Sequence, residues 1–151
     1  ALPIYTSPRR LKRLAENLQR LGVTIAECRM VDWTAPDVPD DGVRYDRILL
    51  DVPCSNTGVM RRRVDVRWRV TPAVVAEMAD VQWRILASTI PRLAAGGRLV
   101  YSTCSLEPAE NDVQVDRVLA AYPQLRLVEK KLVTPHETGF DGAFAALFAM
   151  V

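Results

Sequence analysis

The sequence predicts an α/β domain with a mainly parallel sheet, on two observations. First, helix-periodic and strand-like segments alternate in the order helix, strand, strand, helix, strand, helix, strand, strand. Such alternation builds a parallel sheet with helices packed on it. Second, Asp32, Asp51, Cys54 and Cys104 all fall at the carboxyl ends of strand-like runs, where open α/β sheets place their sites.

Residues 7–21, SPRRLKRLAENLQRL, form the first expected helix. Ser7 stands at its N-cap and Pro8 at its first helical position. Leu11, Leu14, Leu18 and Leu21 recur at helical spacing, and Gly22 stops the helix. VTIAECRMV (23–31) reads as a strand, with Cys28 as a small core residue. TAPDVPDDG is a loop. The unbroken apolar run of YDRILLDV (45–52) suits a central strand. Residues 53–71 form a long polar loop. A helix over 71–94 is capped by Thr71 with Pro72 behind it, and Pro91 kinks or splits its end. GRLVYSTCS (97–105) is a strand entered through Gly96-Gly97, and residues 107–123 are a helix closed by Pro123. The last two strands, 125–133 and 142–151, have no helix between them and suit an antiparallel pair at an edge.

The chain has 151 residues, 49% of them hydrophobic and 25% charged, enough for one domain with its own core. No apolar run of 18 residues indicates a membrane span, and the start has no signal-peptide pattern. A net charge of +2 does not announce nucleic-acid binding. The arginines are nonetheless clustered, above all in MRRRVDVRWR. Three cysteines, in no metal-like spacing, and a single histidine leave little for a metal site and point to free thiols in a reducing, cytoplasmic setting.

Two cysteine loops carry the chemistry. Cys104, in STCS, ends a strand and precedes a helix beginning near Glu107, whose N-terminus favours a thiolate. Cys54, in DVPCSNTG, is aimed by Pro53, with Asp51 at the same mouth. Each alone also reads as a buried thiol or a turn. A phosphatase loop needs five residues between cysteine and arginine; six separate Cys54 from Arg61, and no histidine precedes the cysteine.

Taken together, the loops resemble the RNA cytosine-C5 methyltransferases of the Nop/Sun (Fmu/RsmB-like) family. The matching elements are Asp51-Val52-Pro53-Cys54-Ser55, Thr103-Cys104-Ser105 and Glu110-Asn111. SPRRLKRLAENLQRLG and DGAFAALFAM are also similar to family segments, so the resemblance covers nearly the whole chain. It implies a Rossmann-like methyltransferase fold, S-adenosylmethionine as cofactor, and RNA, ribosomal RNA above all, as partner. It makes Cys104 the nucleophile toward cytosine carbon-6 and Cys54 the residue that assists adduct breakdown. Asp51 would contact the base and the methyl donor. Asp32 would lie near the donor's adenine, with Trp33 packing beside it; the bland alternative for Asp32 is a turn cap. Arg61, Arg63 and Arg67, with Arg62 and Arg69, suit RNA phosphates; the alternative is a solvated loop paired to Asp65.

The family's glycine-rich cofactor loop and the acid that holds the donor's ribose have no match, and Tyr5 stands near the acid's position. Residues 1–151 are therefore expected to be an N-terminally incomplete methyltransferase catalytic domain that by itself binds the donor poorly. A non-catalytic RNA-binding domain of the same fold is the second expectation.

Overall fold

The structure, a computed structural model, describes residues 4–5 and 7–151, the first two by backbone alone. The chain divides into two compact units, residues 1–39 and 40–151.

In the first unit, β1 (Ile4–Tyr5) pairs in parallel with β2 (Arg29–Met30), and α1 (Pro8–Arg20) lies between them in sequence. Ser7 holds the N-cap position with extended backbone but makes no side-chain cap bond, so Pro8 supplies the start signal. The end is a Schellman closure: Val23 N–H donates to Leu18 O and Gly22 N–H to Gln19 O, with Gly22 at φ +66°. The strand expected over 23–31 shrinks to two residues. Val23 and Ile25 are exposed, because apolar content does not by itself make a strand. Cys28 is half-buried rather than a core residue.

The second unit holds a four-stranded sheet in the order β3 (Tyr45–Asp51), β4 (Leu93–Thr103), β6 (Ala143–Met150), β5 (Leu125–Val133). β3 and β4 are parallel, and β6 runs antiparallel to both β4 and β5. The final two strands thus pair at one edge, as expected. Among the described residues β3 stands at the other end of this sheet rather than at its centre, and Leu49 is exposed while Ile48 and Leu50 are half-buried. An apolar run does not by itself distinguish a central strand from an edge one.

Other boundaries moved for local reasons. Pro91 ends α3 (Pro72–Thr89) in a 3-10 turn, Ile90–Arg92. Thr71 caps the helix, its Oγ1 accepting from Val74 N–H at 3.3 Å. β4 begins at Leu93, ahead of the glycines, and its register against β3 breaks where Gly96 adopts φ +70°. A 3-10 turn, Pro108–Glu110, precedes α4 (Asp112–Ala121), so that helix starts later than expected. The loop after Cys54 carries α2 (Val66–Arg69), and α5 (Pro135–Thr138) gives the β5–β6 connection a single turn.

The core follows strand period two and helix period near four. Leu99, Tyr101 and Thr103 of β4, and Phe144, Ala146 and Phe148 of β6, alternate inward. Leu86 and Ile90 from the α3 side and Val115 and Val118 of α4 close over them. Gln114 Nε2 ties α4 to α3 by donating to Ala79 O at 2.9 Å.

Candidate active site

Parallel pairing sets Asp51 opposite Ser102, so β3 and β4 release their following loops at the same end of the sheet. Pro53-Cys54 leaves one strand and Cys104 the other, and the two Sγ atoms meet at 3.3 Å. Residues 50 positions apart thereby become one group.

Three devices hold the loops in register. Gly58 N–H donates to Cys104 O at 2.9 Å, and Gly142 N–H donates to Gly58 O at 2.8 Å. A Cβ on Gly58 would stand 2.7 Å from both Cys104 O and Gly142 O, so this crossing admits only glycine. The second device is Glu110, which is 0% exposed. Its carboxylate accepts from Ser55 N–H at 2.9 Å, from Gln82 Nε2 at 2.8 Å, from Ser105 Oγ at 2.7 Å and from Ser55 Oγ. A buried carboxylate needs such donors, and here they come from both cysteine loops and from α3. Tyr101 Oη donates to Glu110 O at 2.7 Å, and Gln82 Nε2 also donates to Pro53 O at 2.9 Å. The third is Asn111, whose Oδ1 accepts from Thr103 Oγ1 at 2.7 Å while its Nδ2 donates to Ser105 O at 2.9 Å.

Asn56 completes the cluster around the thiols. It is the one non-glycine residue at positive φ, 63°, among those described, a conformation asparagine tolerates. Its Nδ2 donates to Cys54 O at 2.7 Å, which turns Oδ1 toward Cys104 Sγ at 3.2 Å. The Cys104 sulfur therefore has a proton acceptor on one side and the Cys54 thiol on the other.

That arrangement separates the two thiols. The Cys54 S–H donating to Cys104 lowers the Cys104 thiol to about 7 from the ordinary 9.0, against burial and the charges of Asp51 and Glu110, which oppose ionisation. The same bond, with burial, pushes the Cys54 thiol well up. Of the two thiols, Cys104 is thus the one that ionises more readily. The helix expected to stabilise Cys104 does not: α4 begins at Asp112, and the Leu106 and Glu107 N–H groups donate to Thr57 Oγ1 and Ser105 Oγ. The hydrogen bond between the two thiols takes its place.

Asp51 is exposed at the end of β3, near Ser102 Oγ at 3.4 Å. Asp32 lies in the first unit, where its Oδ1 accepts from Thr34 N–H at 2.9 Å and Thr34 Oγ1 at 2.6 Å, the geometry of a turn cap. The Tyr5 side chain lies outside the described residues. Arg61 donates to Gly139 O at 2.8 Å and pairs with Asp141 at 3.3 Å, while Arg63 reaches Asn56 Oδ1 at 3.5 Å. Arg67 lies over the Trp68 ring, 5.1 Å from its centroid. Sequence reasoning singled out neither Asn56 nor Gln82. Gln82 had a signal: it interrupts the apolar face of α3 between Met78 and Leu86, and a polar residue there needs a buried partner.

A sequence model of the family described as 16S rRNA methyltransferase RsmB/F matches residues 3–148. A probable ribosomal RNA small subunit methyltransferase B from Synechocystis sp. is 44% identical over 126 residues, covering 82% of this chain and 28% of that protein. The ribosomal RNA small subunit methyltransferase B of Yersinia pestis is 40% identical over 152 residues, covering 96% of this chain and 35% of that one. The chain thus spans about a third of the length of these relatives. Among solved structures, NSun6 from Pyrococcus horikoshii, determined with SFG, superposes with a TM-score of 0.86 at 30% identity, covering 99% of this chain and 41% of that one. A methyltransferase homolog from the same organism gives 0.85 at 24% identity, over 99% and 53%, and shares the fold. With the match running almost end to end and both cysteine loops meeting at one mouth, the chain belongs to the 16S rRNA methyltransferase RsmB/F family and has its Rossmann-like α/β fold.

Proposed function

We propose that residues 1–151 are part of the catalytic domain of an S-adenosylmethionine-dependent RNA methyltransferase that modifies carbon-5 of cytosine, with ribosomal RNA as substrate. The observation that carries this is the 3.3 Å pair of unequal thiols, Cys104 and Cys54.

Carbon-5 of cytosine is a weak nucleophile. Attack by the Cys104 thiolate forms an S–C6 bond and pushes an electron pair toward carbon-5. Bound S-adenosylmethionine would supply the electrophilic methyl group. Once carbon-5 is methylated, loss of its proton to solvent water returns the electron pair to the ring and breaks the S–C6 bond, releasing the Cys104 thiolate. Cys54 holds a proton against the Cys104 sulfur and thereby favours its departure as an anion. Asn56 Oδ1 keeps the resting Cys104 proton on the pocket side. Glu110 holds both loops in place and touches neither sulfur.

Asp51 suits the cofactor by chemistry: an exposed carboxylate at a strand end is the group that a cationic donor and the polar edge of cytosine both seek. Asp32 is assigned to the donor's adenine side, with its carboxylate position set by Thr34. Arg61, Arg63 and Arg67 are assigned to RNA, with Arg61 also anchoring the 139–141 loop. A base turned out of its stack fits a pocket built at a strand end.

The test uses the full-length protein, S-adenosylmethionine and RNA containing 5-fluorocytosine, which blocks proton loss at carbon-5. A covalent protein–RNA adduct should form in wild type and in Cys54→Ala and be absent in Cys104→Ala. Adduct retained in Cys104→Ala and lost in Cys54→Ala would overturn the assignment.

A further inference from the structure

We propose that the exposed indole of Trp68, set among the arginines of residues 61–69, is a stacking platform for an unpaired RNA base beside the target nucleotide. The proposal rests on the RNA-methyltransferase reading above. It adds a binding site outside the thiol pocket.

Trp68 is 80% exposed although it stands in an ordered turn. α2 is anchored by Val66, which is 1% exposed, so the backbone beneath the indole is fixed while the ring faces solvent. Trp83 shows the contrast: it is half-buried against the core, with Arg117 stacked 3.9 Å over its ring. Leaving a large aromatic ring in water forfeits its burial, and such rings mark interaction surfaces when they come with a matching field.

The field here is cationic. Arg61 and Arg62 share the single carboxylate of Asp141, and Arg63 and Arg69 share that of Asp65. Arg67 has no carboxylate within salt-bridge distance among the described residues and lies over the indole instead. Five guanidiniums against two carboxylates leave an excess of three positive charges. An exposed aromatic face beside an arginine-rich segment of net positive charge is the composition that binds single strands, by base stacking and phosphate contact.

The platform is also continuous with the pocket. Arg63 reaches Asn56 Oδ1 at 3.5 Å, and the same oxygen accepts the Cys104 thiol at 3.2 Å. Arg63 thus ties the segment that carries Trp68 to the thiol pair, and the proposal places the phosphates next to the target cytosine at these arginines.

The experiment uses the full-length protein and a single-stranded RNA oligonucleotide carrying 5-fluorocytosine flanked by 2-aminopurine. Stacking on the indole should quench the 2-aminopurine emission. Trp68→Ala should remove the quenching and weaken RNA binding roughly 5- to 150-fold, and Trp68→Phe, which keeps a ring, should restore most of it. Adduct formation on Cys104 at saturating RNA should be unchanged in both. The proposal is overturned if Trp68→Ala binds within twofold of wild type, or if Trp68→Phe is as weak as alanine and unfolds earlier, which marks packing. It is equally overturned if acrylamide cannot reach Trp68 in the full-length protein, which marks an indole covered by another protein surface. Quenching without any adduct in wild type would support the platform and sink the cytosine chemistry instead.

Discussion

Replacing Cys54 by alanine removes the hydrogen bond that separates the two thiols, and the consequence is measurable as a titration. In the wild type, Cys104 is lowered to about 7 from 9.0, with the Cys54 S–H as the largest cause. Burial and the Asp51 and Glu110 charges push the other way and remain in the variant. The Cys104 thiol should therefore titrate higher in Cys54→Ala. Because Cys104 is half-exposed, water replaces part of the lost donor, and we expect a rise of roughly one pH unit rather than a full return. The sign follows from the thiolate: its fraction grows with pH, so a higher pKa depletes it most near neutrality. Alkylation of Cys104 by iodoacetamide, followed on its own peptide by mass spectrometry, should be roughly twofold slower than wild type at pH 7, an about fivefold fall in thiolate fraction being partly offset by the greater nucleophilicity of the more basic thiolate. Near pH 10 the variant should be as fast or faster, since a more basic thiolate is the stronger nucleophile. Cys54→Ser, which keeps a donor, should fall between the two. An unchanged or lower titration in Cys54→Ala would refute the view that the neighbouring sulfur activates Cys104.

Two further outcomes concern the loops themselves. Glu110→Ala strands Ser55 N–H, both serine hydroxyls and Gln82 without their shared acceptor, and should cost about 3–5 kcal/mol in urea unfolding; a loss below about 1 kcal/mol would show that water replaces the carboxylate. Gly58→Ala forces a methyl group to within 2.7 Å of two carbonyl oxygens and should lower the thermal midpoint, at a cost of roughly 1–3 kcal/mol. It should also slow Cys104 alkylation, because the Gly58–Cys104 bond positions that loop; a variant with wild-type melting would place the crossing among the movable parts.

Much of the fold is legible in the sequence because its signals are local. Pro8, Thr71 with Pro72, Pro91 and Gly22 act on their own turns, and each marks an element end in the structure. The 23–31 segment misled because apolar content does not by itself make a strand, and among the described residues of this segment only Arg29–Met30 pairs in a sheet. The apolar run of β3 misled in the same way: what lies beside a strand is a property of the sheet.

The sequence by itself determined the fold class, the family and the two residues worth arguing over, Cys54 and Cys104, since residue identity and spacing carry those. Only the tertiary structure decided how they differ. Parallel pairing of β3 and β4 brings the sulfurs to 3.3 Å, and a hydrogen bond of that length makes one thiol acidic at the other's expense. Sequence pattern assigned the activating role to a helix end, but the Leu106 and Glu107 N–H groups donate to Thr57 Oγ1 and Ser105 Oγ rather than to sulfur. The buried carboxylate of Glu110 and the left-handed backbone of Asn56 were equally invisible, because a side chain's partners are settled only once the loops close on one another.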